Sequence, residues 1–200
     1  GTGAGFVNQS AGSVATANLI INSSASGDLS SYNLSGGELA IGELTINDGG
    51  EVNLTGGKLL LEEGTGVAKL SGNSMLNIDG GMLLKDFAGE TPASTLQSSG
   101  DQSRILMQSG SLQLVNGTVH SVTNLGSKLE ISGGDVDLIS QVRVSNDFKV
   151  MGDLATIDIG WLGTFAGSHF TFEFDESGVT PVNVAYWMSL GSAALTVDGS

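Results

Sequence analysis

The stretches Gly36-Gly37-Glu38-Leu39-Ala40-Ile41, Gly56-Gly57-Lys58-Leu59-Leu60-Leu61 and Gly80-Gly81-Met82-Leu83-Leu84 repeat one unit, a glycine corner followed by alternating apolar residues. The unit returns as Gly110-Ser111-Leu112-Gln113-Leu114 and as Gly133-Gly134-Asp135-Val136-Asp137-Leu138. With Gly12 and Gly152 included, successive starts lie 24, 20, 24, 30, 23 and 19 residues apart. An imperfect repeat of this length, made of strands and turns, is the mark of a solenoid.

Apolar residues two apart run through the chain outside these corners as well. The pairs are Leu39/Ile41, Leu44/Ile46, Val52/Leu54, Leu59/Leu61, Leu76/Ile78, Leu112/Leu114, Leu129/Ile131, Val136/Leu138, Val142/Val144 and Ile157/Ile159. Period-two spacing puts both members on one face of a strand, and no useful length carries the helical period of 3.6. The sequence therefore predicts an all-β fold, a single-stranded parallel β-helix in which each strand pairs with its equivalent one coil away, ~4.8 Å along the axis. Parallel crossovers favour a right-handed path. Residues 1–159 are expected to form about seven coils, with a loop insertion near 86–103, where the longest interval contains Pro92 and two polar runs. The competing reading is a β-sandwich, in which Asn47-Asp48-Gly49-Gly50 would be a hairpin turn. A sandwich gives no reason for the corner-and-strand unit to return in one orientation at coil length.

After residue 148 the composition changes. Eight of the eleven aromatic residues lie there: Phe148, Trp161, Phe165, Phe170, Phe172, Phe174, Tyr186 and Trp187. Phe170-Thr171-Phe172-Glu173-Phe174 alternates strictly, and Ala193-Ala194-Leu195-Thr196-Val197 is a further strand. An open solenoid end exposes strand edges, so residues 160–200 are expected to form an aromatic-rich C-terminal β cap. The same rings would suit a carbohydrate platform, although alternation points to core.

Glycine is 31 of 200 residues and proline 2. Each glycine inside an element costs roughly 0.5–1 kcal/mol relative to alanine. Burying one Leu, Ile or Val returns about 1.5–3 kcal/mol, so a coil with several inward aliphatics offsets its corners. The formal charge of −14 arises from 21 acidic and 7 basic residues. A nucleic-acid partner, which needs a basic patch, and an anionic membrane surface are both disfavoured. There is no cysteine, which excludes disulfides and thiolate metal sites. No apolar run approaches the ~20 residues of a transmembrane helix, so no membrane insertion is expected of this segment, and no signal-peptide pattern is present.

Chemistry-bearing constellations are sparse. Asp135 and Asp137 share a strand face and, with Glu130 or Asp158 on neighbouring coils, would make an acidic ladder with Arg143 a few residues beyond. Calcium-assisted proton abstraction on a polysaccharide needs clustered carboxylates and a basic group, and this is the nearest approach to one. Charged side chains on a solvated strand face are the commoner meaning of such a pattern. His120 and His169 lack partners at ligand or triad spacing. Asn47-Asp48-Gly49-Gly50 and Asp79-Gly80-Gly81 are turn chemistry before they are calcium sites, and Thr45 and Thr55 do not continue into the threonine column that ice binding requires. No catalytic, metal or cofactor residue is assigned. Loops on a rigid scaffold often carry function, so 86–103 is the first place to seek a contact.

Residues 12–160 resemble the Gly-rich repeat regions of bacterial surface β-helix proteins, including autotransporter passengers. The tail from Phe170-Thr171-Phe172 through Gly178-Val179-Thr180-Pro181 to Leu195-Thr196-Val197-Asp198 is similar to the distal part of extracellular proteins with the PEP-CTERM sorting anchor, from bacteria that make exopolysaccharide. The resemblance implies a secreted or cell-surface location, with extracellular polysaccharide or another surface protein as partner. Neither the Pro-Glu-Pro motif with its hydrophobic and basic tail nor a translocator barrel occurs in this sequence. The expected role is a non-enzymatic structural or adhesive module, a stalk, spacer or adhesin-like surface. Its rival is a polysaccharide-binding or polysaccharide-cleaving protein on the same scaffold.

Overall fold

The computed structural model describes residues 5–22, 29–62, 66–86, 96–99, 102–115, 122–125, 128–164, 168–174, 176, 178, 180–189 and 194–199. These residues contain strands and no helix. The chain opens with β1 (Phe6–Gln9) and β2 (Ser13–Ile21), and β3 (Ser30–Ile46) then completes a full turn. Later turns are each built from two strands. They are β4 (Gly50–Leu61) with β5 (Val67–Ser71), β6 (Met75–Asp86) with β7 (Leu96–Ser99), and β8 (Arg104–Val115) with β9 (Val122–Leu125). Next come β10 (Lys128–Ile131) with β11 (Gly134–Val144), and β12 (Asp147–Met151) with β13 (Ala155–Thr164). β14 (His169–Phe174), β15 (Val182–Ser189) and β16 (Ala194–Gly199) follow.

Every strand pairing among the described residues is parallel, which makes the fold a β-solenoid. The pairings sort into three stacks. The first face carries β1, the start of β3, β4, β6 and β8, then β10, β12, β14 and β16. The second face follows the glycine corner and holds, for example, Leu39, Leu59, Leu83 and Leu112 in register. The third face stacks Leu44 on Ala68 and Leu96, and Val142 on Leu162 and Met188. All twenty residues of the ten period-two pairs point inward and are almost completely buried. The alternation thus becomes aliphatic columns that run along the axis through one continuous core.

The corners explain the uneven repeat. At the first corner Gly37 adopts φ +80°, and a Cβ there would lie 2.2 Å from the carbonyl oxygen of Gly12 in the turn before. Gly110 repeats this, with φ +85° and the carbonyl of Gly81 at the same distance. Glycine is therefore required twice over, for the left-handed backbone and for the close stacking of corner on corner. The second corner absorbs most of the length variation. Gly42 alone turns β3 from its second to its third face, whereas residues 62–66 intervene between β4 and β5 and residues 87–95 between β6 and β7.

Three expectations are revised or sharpened. Asn47-Asp48-Gly49-Gly50 is no hairpin turn; it is the third corner, joining β3 to the parallel strand β4. The loop expected over 86–103 contains β7, whose inward residues are Leu96 and Ser98. A serine at the second inward position hid the strand from an apolar-pair reading, and 87–95 and 100–101 lie outside the described residues. The aromatic strand does not lie over the end of the stack. β14 pairs on one side with β12 and on the other with β16, and β15 pairs with β13, so β14, β15 and β16 prolong the same faces. Phe170 is buried and stacks on Phe148 with ring centroids 5.1 Å apart, while Leu195 and Val197 of the last strand are exposed.

Candidate functional site

With the interior filled by aliphatic columns, chemistry is confined to outward side chains and to the few polar groups that interrupt the core. On the second face, Asp137 of β11 lies directly beside Asp158 of β13, and Asp135 precedes it on the same side of the strand. Burial first, then the carboxylates of Asp158 and Asp135, push Asp137 above the usual carboxylate value. Asn183 Nδ2 donates to Asp158 Oδ1 at 3.0 Å, and Gln113 Nε2 to Asp135 Oδ2 at 3.4 Å. Asp137, Asp158, Asn183 and Ala185 border a groove of about 250 Å³.

The remainder of the sequence constellation is dispersed. Glu130 sits on the first face between Leu106 and Lys149. Arg143 is on the third face between Asn124 and Gly163. The solenoid therefore brings together three aspartates and separates them from the arginine proposed to work with them. Among the described residues no group of three or more His, Cys, Asp or Glu is disposed to hold a metal ion.

Other candidates resolve into structural roles. His169 lies on the first face with Nδ1 3.1 Å from Asp147 Oδ1, and Lys128 Nζ approaches the other oxygen of Asp147 at 3.7 Å. His120 falls outside the described residues. Phe170 and Phe172 face the core, so they form no exposed sugar platform. Asp48 accepts from the backbone amide of Asn73 at 2.7 Å, tying the third corner of one turn to the next. Thr45 belongs to the third face, whereas Thr55 follows the first-face leg of β4, so the two are in different columns.

Three features were not read from the sequence. The first is an amide ladder on the first face: Asn33 Nδ2 donates to Asn8 Oδ1 at 2.8 Å and Asn53 Nδ2 to Asn33 Oδ1 at 2.9 Å. It continues more loosely, at 3.5 Å, from Asn77 to Asn53. Its signal is present as Asn33-Leu34-Ser35-Gly36-Gly37, Asn53-Leu54-Thr55-Gly56-Gly57 and Asn77-Ile78-Asp79-Gly80-Gly81, once repeats are aligned three residues ahead of their corners. The second is Lys85, fully buried in a second-face column between Leu61 and Leu114, with Nζ donating to the carbonyl of Glu62. The third is Gln9, which faces inward in the first turn. Its amide donates to the carbonyls of Gly12 and Glu38 and accepts from Tyr32 Oη at 2.5 Å.

The third face carries a second groove, of about 310 Å³, between two outward columns. One column is Thr45, Lys69 and Gln97; the other is Asn47, Ser71 and Ser99. Glu43 accepts from Lys69 Nζ at 2.9 Å and from Thr45 Oγ1 at 3.1 Å, and these bonds hold its carboxyl below the usual range. No family model, curated protein or solved structure matches the chain.

Proposed function

We propose that this chain is a non-enzymatic, secreted or cell-surface module that acts as a stalk, spacer or adhesive surface. One observation carries the reading: buried apolar side chains of successive turns, from Ile21 to Phe170, form one hydrophobic core cluster. Backbone ladders along the axis and a core shared by successive turns resist bending, and the outer side chains are left to meet a partner. Surface attachment rests on the likeness of the repeats and tail to bacterial surface proteins. The partner on this reading is extracellular polysaccharide or a second surface protein. The test is incubation of the full chain with neutral and acidic polysaccharides, with and without calcium, followed by product analysis, alongside fractionation of cells expressing the complete gene. No new chain ends and recovery in the surface or medium fraction are expected. Saturable cleavage of any glycan, or a purely cytosolic product, would overturn it.

A second reading, polysaccharide cleavage on the same scaffold, draws on Asp137 and Asp158. A carboxyl whose titration is raised by burial and by neighbouring carboxylates, as at Asp137, is the kind of group that serves as the acid in glycoside hydrolysis. If cleavage is found, Asp137→Asn should abolish it.

A further inference from the structure

The groove on the third face lies where loop-borne contact was anticipated, since three of its residues, Gln97, Ser98 and Ser99, come from the 86–103 segment. Its walls are set by the register: Thr45 pairs with Lys69 and Lys69 with Gln97, while Ser71 pairs with Ser99. Asn47 enters the second wall through the hydrogen bond that Ser71 Oγ donates to its Oδ1 at 2.9 Å. The walls are two residues apart on each strand, roughly 6.5–7 Å, and three rungs deep at ~4.8 Å each. These are backbone spacings and the gap between the side chains is narrower, so the groove is a shallow polar trough three rungs long.

The polar groups in it differ from those of the other groove. Hydroxyl and amide groups donate and accept at once, which matches the hydroxyls of a sugar. The one cation among the described lining residues, Lys69, is neutralised by Glu43, and the chain carries −14 overall, so a polyanion gains nothing here. A peptide strand would seek an open sheet edge, and these strands are paired on both sides. We propose that this trough binds a neutral, extended polysaccharide, one sugar unit per rung. The proposal rests on the reading of the chain as a surface module and gives that module its ligand. Among the described residues no aromatic ring lines the trough, so a single site binds weakly and the polymer is held by many rapidly exchanging contacts.

Affinity electrophoresis of the full chain through gels containing soluble neutral β-glucan, galactomannan or dextran tests this. Gels with polygalacturonate provide the anionic arm, and a polar peptide serves as competitor. Retardation in at least one neutral gel is expected, with Ser71→Ala/Gln97→Ala weakening it at least fivefold and Asn77→Ala on the first face leaving it unchanged. Circular dichroism of each variant confirms that it folds. Passage through every neutral gel without retardation, retardation by polygalacturonate alone, displacement by the peptide, or equal loss in Asn77→Ala would overturn the assignment. A chain that shows no retardation yet remains in the surface fraction without cleaving glycans loses the trough and keeps the stalk.

Discussion

The two halves of the first face are dressed differently on one backbone. From β1 to β6 the outer surface carries the neutral ladder Asn8–Asn33–Asn53–Asn77; from β10 to β14 it carries ion pairs, with Lys128 beside Asp147, which His169 also contacts, and Lys149 bonded to Glu173 at 2.6 Å. Beneath both runs the same inward column: Leu34, Leu54, Ile78, Met107, Ile131 and Val150. The core sets register, and the outside is free to vary between amide and charge. Amides stack without repulsion, whereas like charges one ~4.8 Å rung apart repel, as Asp158 does Asp137 on the second face.

The largest expected effects lie in what the halves share. Leu54→Ala and Ile131→Ala should each cost about 2–5 kcal/mol by denaturant unfolding, one in each half of the same column. A cost confined to one half would show that the core is not continuous. Next, Gly110→Ala should cost about 1–3 kcal/mol or more, because it combines a positive φ with a carbonyl 2.2 Å from the new Cβ. An unchanged melting curve would mean the corners are not stacked.

Smaller effects separate the halves. Asn53→Ala removes a donor and an acceptor from the middle of the ladder and should cost about 1 kcal/mol, equally at low and high salt. Asp147→Asn should cost under about 1 kcal/mol, and the loss should shrink in high salt because the pairs are half-exposed. Matching salt responses would erase the distinction. The smallest effect belongs to Asp137, whose folded-state carboxyl titrates above its unfolded value. Stability should therefore fall as pH rises from the ordinary aspartate range through the raised value, and remain at the lower level above it. Asp137→Asn should remove that slope and stabilise the chain slightly at neutral pH. A slope that persists in the variant belongs to another group.

The fold was legible because Leu39/Ile41 and its nine counterparts encode strands by alternation, and corner glycines such as Gly37 mark where each turn resumes. Alternation reports which side of a strand is apolar, and a solenoid has only one interior, so those residues had a single destination. Positions breaking the rule were missed for the same reason. Lys85 and Ser98 occupy inward sites that apolar patterning assigns to aliphatics. The aromatic strand misled because alternation shows that Phe170 and Phe172 are inward but not where along the axis they stand. Candidate sites were harder still, since proximity across turns depends on register. Asp137 and Asp158 are neighbours because 21 residues separate equivalent positions there, while Glu130 and Arg143, closer in sequence, face other directions.

Equivalent positions on successive turns stack at a constant rise. The chain contains no cysteine, so spin labels can be placed at chosen pairs without background. Asn53, Glu130 and Thr171 lie in one outward column, three and five rungs apart from the first. Pulsed electron-spin distance measurements should give backbone separations of roughly 14 Å for Asn53→Cys/Glu130→Cys and 24 Å for Asn53→Cys/Thr171→Cys, growing linearly with rung number. Distances that fail to grow with rung number, as in two facing antiparallel sheets, would contradict the solenoid and the function built on it.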